Sequence, residues 1–229
     1  MSVAEQLPLL VAVFGASQPS DEIYEASVLA GAAIARAGFG MINGGYHGTM
    51  EGSALGHKEE AGRAEGASAS AAARGGAAAS PALPRVGVTV PSLFPYRYSG
   101  ANAHVSHVHA APTLLTRIDA MLCPQRRVCA VLVLPGTLGT LTELCCAWNL
   151  AALRGAVGDH AAHPRLRVFA YERPWRAVVE HCAAALQLKD DVVARIEYVA
   201  DADAAMALLL AGSAPAAGKA AKGCETDEE

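Results

Sequence analysis

At 229 residues the chain is long enough for one α/β domain with a sizeable core and short for two. Apolar residues make up 52% of it but aromatics only 5%, so alanine inflates the apolar share and the core-forming power is smaller than that figure implies. The formal charge of −4 argues against a dedicated nucleic-acid binder, which normally shows a basic face or run.

In chain order, Leu9–Phe14 is a short, continuously apolar run ending in Gly15-Ala-Ser17, the pattern of a buried parallel strand. Ser20 can cap the next helix, with Asp21 and Glu22 on its positive end, and Gly38 is placed to end it. Phe39–Ile42 is a second strand, followed by Asn43-Gly-Gly-Tyr-His-Gly48 and a helix from Thr49. The stretch of about 62–84 is alanine, glycine and serine with almost no large apolar side chain, so a flexible insert is expected there. Arg85–Val90 resumes the strand pattern and His104–His109 forms a short strand. Pro112 opens a helix carrying Leu114, Leu115, Ile118, Met121 and Leu122 on one face. Val128–Leu134 is a buried strand, leading through Pro135–Glu143 into a helix ending near Leu153. A strand at Leu166–Tyr171, a helix at Pro174–Leu186, a strand at Ile196–Val199 and a helix at Asp201–Leu210 follow.

Alternating strands and helices predict a three-layer, Rossmann-like, doubly wound and mostly parallel sheet with helices on both faces. The expected organisation is one nucleotide-binding domain over 1–211 and a disordered tail over 212–229. Leu7–Phe14 lacks a basic leader segment and reads as a strand, not a signal peptide; no segment has the roughly 18–20 apolar residues of a membrane span. The six cysteines form no CxxC pair or zinc-ligand spacing, and read as reduced thiols of a cytoplasmic protein.

Three glycine-rich turns fall at strand C-termini: Gly15–Ser17, Gly44–Gly48 and Gly136–Gly139. In a doubly wound sheet they converge on one edge, where ligands bind. At Pro135–Glu143, glycines at 136 and 139 let the chain turn tightly into a helix beginning at Thr140, whose free N–H groups form an anion site suited to phosphate. Thr140-Leu-Thr-Glu143 is equally a capping box, with Thr140 at the N-cap. Asn43–Met50 is not the dinucleotide fingerprint, because the GxGxxG spacing and the following acidic residue are missing; on its own it is a turn, with His47 a polar loop residue. Arg117 either snorkels to solvent or reaches the crevice that holds Glu143.

Four segments together resemble the LOG ("Lonely Guy") family of nucleoside-5′-monophosphate phosphoribohydrolases, whose members are often labelled lysine decarboxylases. They are Val13-Phe-Gly-Ala-Ser17, Gly44-Gly-Tyr-His-Gly-Thr-Met-Glu51, Thr116-Arg-Ile-Asp-Ala-Met-Leu122, and Pro135–Glu143 with Trp148-Asn149 after it. The last resembles the family's PGGxGTxxE signature. The resemblance implies a hydrolase that cleaves the N-glycosidic bond of a cytokinin riboside monophosphate or AMP-like nucleotide to free base and ribose 5-phosphate. It implies Arg117 and Glu143 as the catalytic pair. It also implies a phosphate and substrate cradle of Gly136, Thr137, Leu138, Gly139 and Thr140 with Gly15, Ser17, Gly44, Gly45 and Gly48. No metal, no organic cofactor, no nucleic-acid or membrane partner, and a homodimer are further implications. Two departures stand out: Thr137 occupies the signature's second glycine, where a φ > 0 requirement would cost roughly a kcal/mol or more, and Ile118 replaces the basic residue of many plant-type members.

The alternatives are a non-catalytic nucleotide-binding or carrier module on the same fold, an NAD-linked oxidoreductase and a pyridoxal-phosphate enzyme. The missing fingerprint disfavours the second. The third needs a Schiff-base lysine, and Lys58, Lys189, Lys219 and Lys222 lie at no strand-end glycine loop.

Overall fold

The computed structural model describes residues 8–72, 82–94, 100–122, 127–156 and 166–212. The strands are β1 (Leu10–Phe14), β2 (Gly40–Asn43), β3 (Arg85–Thr89), β4 (His107–Ala110), β5 (Val128–Val133), β6 (Arg167–Tyr171) and β7 (Ile196–Val199). The helices are α1 (Asp21–Arg36), α2 (Thr49–Ala72), α3 (Leu114–Leu122), α4 (Leu138–Ala156), α5 (Glu172–Leu186), α6 (Asp190–Val193) and α7 (Ala202–Gly212). Every strand pair is parallel, in the order β4-β3-β2-β1-β5-β6-β7. The order reverses between β1 and β5, which opens a crevice at their carboxyl ends.

The central strands are apolar throughout because both faces of the sheet are covered. Leu10, Ala12 and Phe14 of β1 pack with α3, α4 and α5 through Ile118, Leu144 and Trp175. Val11 and Val13, pointing the other way, pack with α1, α2 and α7 through Ile34, Ala54 and Met206. The two-layer coverage makes this the three-layer α/β fold expected. Helices α1 and α2 approach closely: a Cβ at Gly31 would overlap the Ser53 carbonyl, and one at Gly56 the Val28 carbonyl. Small residues thus let two backbones pack where large side chains are scarce.

Several boundaries differ from the sequence reading. Residues 62–72 are helical, since α2 continues to Ala72 instead of giving way to an insert near 62; alanine's high helix propensity favours this although residues 62–67 are exposed. The remaining part of that expected insert up to 81, and the expected tail beyond Gly212, lie outside the described residues. The fourth strand is His107–Ala110, three residues later than expected. Pro112 precedes α3 instead of opening it; Thr113 caps it, accepting the Thr116 amide at 3.2 Å. Ser20 caps α1 through the Ile23 amide, and Gly38 takes up φ +82 after it, both as expected. Among the described residues, no helix is long and apolar enough to cross a membrane.

Candidate functional site

Three strand-end segments meet at the crevice between β1 and β5. The Gly15–Ser17 turn after β1 is tied to the start of α2, whose Thr49 amide and Oγ1 both donate to the Ala16 carbonyl at 3.0 Å. Gly48, at φ +71, lies so close to the Ala16 and Ser17 carbonyls that a side chain would collide with them. The turn after β2 is shaped by Asn43, whose Oδ1 accepts the Gly45 amide at 2.8 Å while its Nδ2 donates to the Met50 carbonyl at 2.8 Å. The third segment is the β5–α4 connection.

That connection is not built as the capping box requires. Helix α4 begins at Leu138, and the Leu141 amide already donates to the Thr137 carbonyl at 2.9 Å, so Thr137 is the N-cap position and Thr140 lies within the first turn. The Thr140 side chain turns inward: it is 2% exposed, and its Oγ1 is buried with no hydrogen-bond partner. Gly136 makes this possible, because a Cβ there would overlap Thr140 Oγ1. Gly139 has open space around its Cβ position and lies inside the helix. Neither Gly136, Gly139 nor Thr137 has a positive φ. The threonine at 137 therefore carries no left-handed backbone strain, which removes the conformational objection to it.

Glu143 is one turn further along α4, 8% exposed, and its carboxylate accepts from Arg117 Nη1 at 3.1 Å. It is thus paired across the crevice and does not reach back to cap its own helix. Arg117, 7% exposed on α3, does not snorkel: Nε donates to the Val88 carbonyl at the end of β3 at 2.8 Å, and Nη2 points at Met50 Sδ at 3.7 Å. The guanidinium crosses directly over Gly44, where a Cβ would overlap Nη2. Burial raises the Glu143 carboxyl to about 7, with Arg117 opposing that rise by charge and hydrogen bond.

A cavity of about 250 Å³ lies over this pair. Gly15, Ser17, Arg117, Thr137, Gly139, Thr140 and Glu143 line it, all expected from sequence. Gly44, Gly45, Gly48 and Gly136 stand behind the lining, shaping turns or making room for a neighbour. Leu138, expected in the phosphate cradle, is 78% exposed and does not line the cavity; as the first residue of α4 it projects outward. Tyr46, Met50, Phe94, Leu114 and Ile118 also line the cavity and are mainly apolar, with Tyr46 and Phe94 packed edge-to-face at 5.5 Å. From sequence, Tyr46 and Met50 stand only within a quoted motif segment, Leu114 as a helix-face residue and Ile118 as a departure from plant-type members; Phe94 carries no signal there. The lining therefore combines hydroxyls and a helix N-terminus with aromatic and thioether groups. His47 Nδ1 lies 3.2 Å from Glu51 on the outer side of α2, as a loop residue would. Lys58 and Lys189 do not line the cavity. Among the described residues, no group of three or more His, Cys, Asp or Glu could hold a metal ion.

The fold recurs in solved structures. A molybdenum cofactor binding protein from Rippkaea orientalis matches at 14% identity over 90% of this chain and 96% of that one, with a TM-score of 0.58. The molybdenum cofactor carrier protein of Chlamydomonas reinhardtii matches at 14% identity over 89% and 97%, with a TM-score of 0.58. The structural-genomics target TM1055 matches at 18% identity over 89% and 99%, with a TM-score of 0.57. The TM-scores and coverage show a shared fold, and at such identities they show the fold alone. No curated protein matches the sequence. Arg117 and Glu143 lie downstream of the segment that carries the family signal. That segment, residues 8–90 from β1 to the end of β3, matches the model of the SLOG cluster4 family, a LOG-like family of the Rossmann-like SLOG superfamily, in agreement with the resemblance read from the motifs.

Proposed function

We propose that the crevice binds a nucleoside 5′-monophosphate and hydrolyses its N-glycosidic bond, releasing the free base and ribose 5-phosphate. The observation that carries this reading is the buried Arg117–Glu143 pair on the floor of a cavity whose rim is the first turn of α4. A site that only held a nucleotide would have no use for a carboxylate kept out of water, because burying one is expensive.

The phosphate sits against the α4 amides, with the unpartnered Thr140 hydroxyl as an added donor. The base lies along the wall of Tyr46, Met50 and Phe94, which brings the ribose C1′ over Glu143. As the C1′–N bond lengthens, positive charge develops on the sugar, and the Glu143 carboxylate stabilises it. A water adds to C1′ and gives a proton to Glu143; the departing base is held by a guanidinium N–H of Arg117 and takes up a proton from solvent. At about 250 Å³, the cavity is just under the roughly 300–1,000 Å³ of ordinary ligand pockets, which suits one mononucleotide and not a dinucleotide. The same reading carries a homodimer, for which the exposed Leu138 and Leu153 of α4 supply an apolar face, and a cytoplasmic protein whose four described cysteines stay as free thiols.

The test is incubation of the purified protein with AMP and with isopentenyladenosine monophosphate, followed by chromatography for free base. Release of either base with stoichiometric ribose 5-phosphate is expected, and Glu143→Gln should reduce it by about a hundredfold or more while nucleotide binding persists. Binding of both nucleotides without any release would replace this reading by the carrier one, to which the names of two fold neighbours also point.

A further inference from the structure

One buried residue belongs to no motif and does not line the cavity, yet it holds a turn that does. Asn102 is 4% exposed and reaches the Gly45–Tyr46 turn from a segment more than fifty positions away in sequence. Its Nδ2 donates to the Gly45 carbonyl at 3.1 Å and to the Tyr46 carbonyl at 2.8 Å, while its own amide donates to the Gly45 carbonyl at 2.8 Å. Its Oδ1 accepts the His104 amide at 3.1 Å, which orients the side-chain amide so that both N–H groups face the turn. Asn43 grips the same turn from the other side through the Gly45 amide. Two buried asparagines therefore satisfy both the donor and the acceptors of one exceptional bend, in which Gly45 has φ +74.

What hangs on this bend is Arg117. Gly44, immediately before it, provides the clearance over which the guanidinium passes. Tyr46, immediately after it, accepts the Val90 amide at its hydroxyl at 2.7 Å, and Val90 is two residues beyond the Val88 carbonyl that holds Arg117 Nε. The turn that Asn102 clamps thus adjoins the clearance over Gly44 and, through Tyr46, the end of β3 whose Val88 carbonyl holds Nε.

We propose that Asn102 is a positioning residue for the crevice: it fixes the Gly45–Tyr46 turn so that Arg117 can extend across Gly44 to Glu143. Its effect on turnover rests on the hydrolase reading; its effect on the geometry of the pair does not. Asn102 makes no contact with the α4 turn where the phosphate would bind, so its loss disturbs the reacting end of the site and spares the anchoring end.

The experiment is the kinetics of base release from AMP for the full chain carrying Asn102→Ala, Asn102→Ser and Asn102→Asp. For Asn102→Ala, kcat should fall about tenfold to a hundredfold, the usual penalty for a misplacement near 1 Å, while KM remains close to wild type. Asn102→Ser, whose hydroxyl can still donate to one carbonyl, should recover part of the loss and serves in place of alanine if that variant does not fold. Asn102→Asp keeps the acceptor for the His104 amide but loses both donors, and should resemble alanine. Unchanged kcat in a folded alanine or serine variant, a loss confined to KM, or a fully active aspartate variant would each overturn the proposal. If the wild type releases no base, the hydrolase reading falls, and the positioning role is then read by carbon NMR titration of the Glu143 carboxyl. Its midpoint near 7 should rise in the variants as the Arg117 guanidinium, whose charge and hydrogen bond hold it down, moves away; an unmoved midpoint overturns the proposal on its own.

Discussion

Two concavities flank the same loops at the carboxyl edge of the sheet, and they could hardly differ more. On the side of α1, α5 and α7 lies an open groove of about 1120 Å³, bounded by Glu22, Pro135, Tyr171, Arg176, Glu180 and Asp203. On the side of α2, α3 and α4 lies the cavity of about 250 Å³ over Arg117 and Glu143. The larger one carries more charge, but its charges are at the surface: Arg176 pairs with Glu172 at 2.9 Å and Glu180 at 3.6 Å, with these side chains roughly half exposed. In water such pairs are worth little and are replaceable. The smaller one holds a single ion pair with both partners about a tenth exposed. Volume marks where the surface is concave; charge held out of water at a cost marks where chemistry is expected.

The largest effect that would sharpen this contrast is on stability. Arg117→Ala leaves the Glu143 carboxylate buried without a partner, and removing one member of a buried pair costs about 3–5 kcal/mol. Chemical denaturation at pH 8 should show a loss of that order. At pH 5 the loss should be smaller, because there Glu143 can hold a proton and be buried neutral. An equal loss at both pH values would mean that the guanidinium contributes by packing against Met50 and Val88 and not by charge.

Second comes the pH dependence of the intact protein. The Glu143 carboxyl is raised from 4.5 to about 7 on folding, with burial as the leading cause. Between those values the folded state holds a proton that the unfolded chain has released, so the contribution of this group to stability falls as pH rises from about 4.5 and levels off above about 7. Its size is on the order of 3 kcal/mol. This is opposite in sign to a carboxylate whose salt bridge dominates. The slope should vanish in Glu143→Gln, as measured by denaturation at several pH values; a slope that survives there belongs to another group. Base release should rise with pH through about 7, since the ionised carboxylate is the working form.

How much of this was open to the eye in the sequence depends on what kind of interaction set each feature. Buried strands such as Val128–Val133 and the cap at Ser20 are local or periodic, and the chain states them directly. Arg117 and Glu143 were found through motif resemblance, but their pairing is a tertiary fact, since 26 positions separate them. The capping box at Thr140 failed for an informative reason. The spacing was right, but the helix starts at Leu138, and Glu143 is recruited across the crevice by a stronger, charged partner. The helical start of the alanine-rich stretch departs from the expected insert because a composition poor for core formation is not poor for helix formation, and alanine separates the two. Asn102 carries no local signal at all. Its importance lies in which carbonyls it meets, and that is decided only when β3 and β2 are side by side.

Third is Gly44→Ala. A single methyl here is aimed at the Arg117 guanidinium and at Met50 Sδ, 2.6 Å from the Cβ position. Overpacking of this kind costs about 1–3 kcal/mol. Met50 can swing aside, but the guanidinium is fixed at Nε by Val88, so relief requires Nη1 to leave Glu143. Base release should therefore fall by more than the stability loss alone explains, and Gly62→Ala, in open space on α2, should do neither.

The smallest effect belongs to the large groove, and it decides whether the comparison holds. Arg176→Ala removes the partner of Glu172 and Glu180 and the stacking of its guanidinium over Tyr198 at 4.2 Å from the ring centre. The three charged side chains line the groove and are roughly half exposed, so water takes over their hydrogen bonds when the arginine is gone. Its melting temperature, nucleotide affinity and rate of base release should match those of the wild type when measured side by side. A drop in nucleotide affinity with stability intact would place part of the ligand in the open groove. Burial of charge would then be a guide to the reacting atoms alone, and not to the whole binding surface.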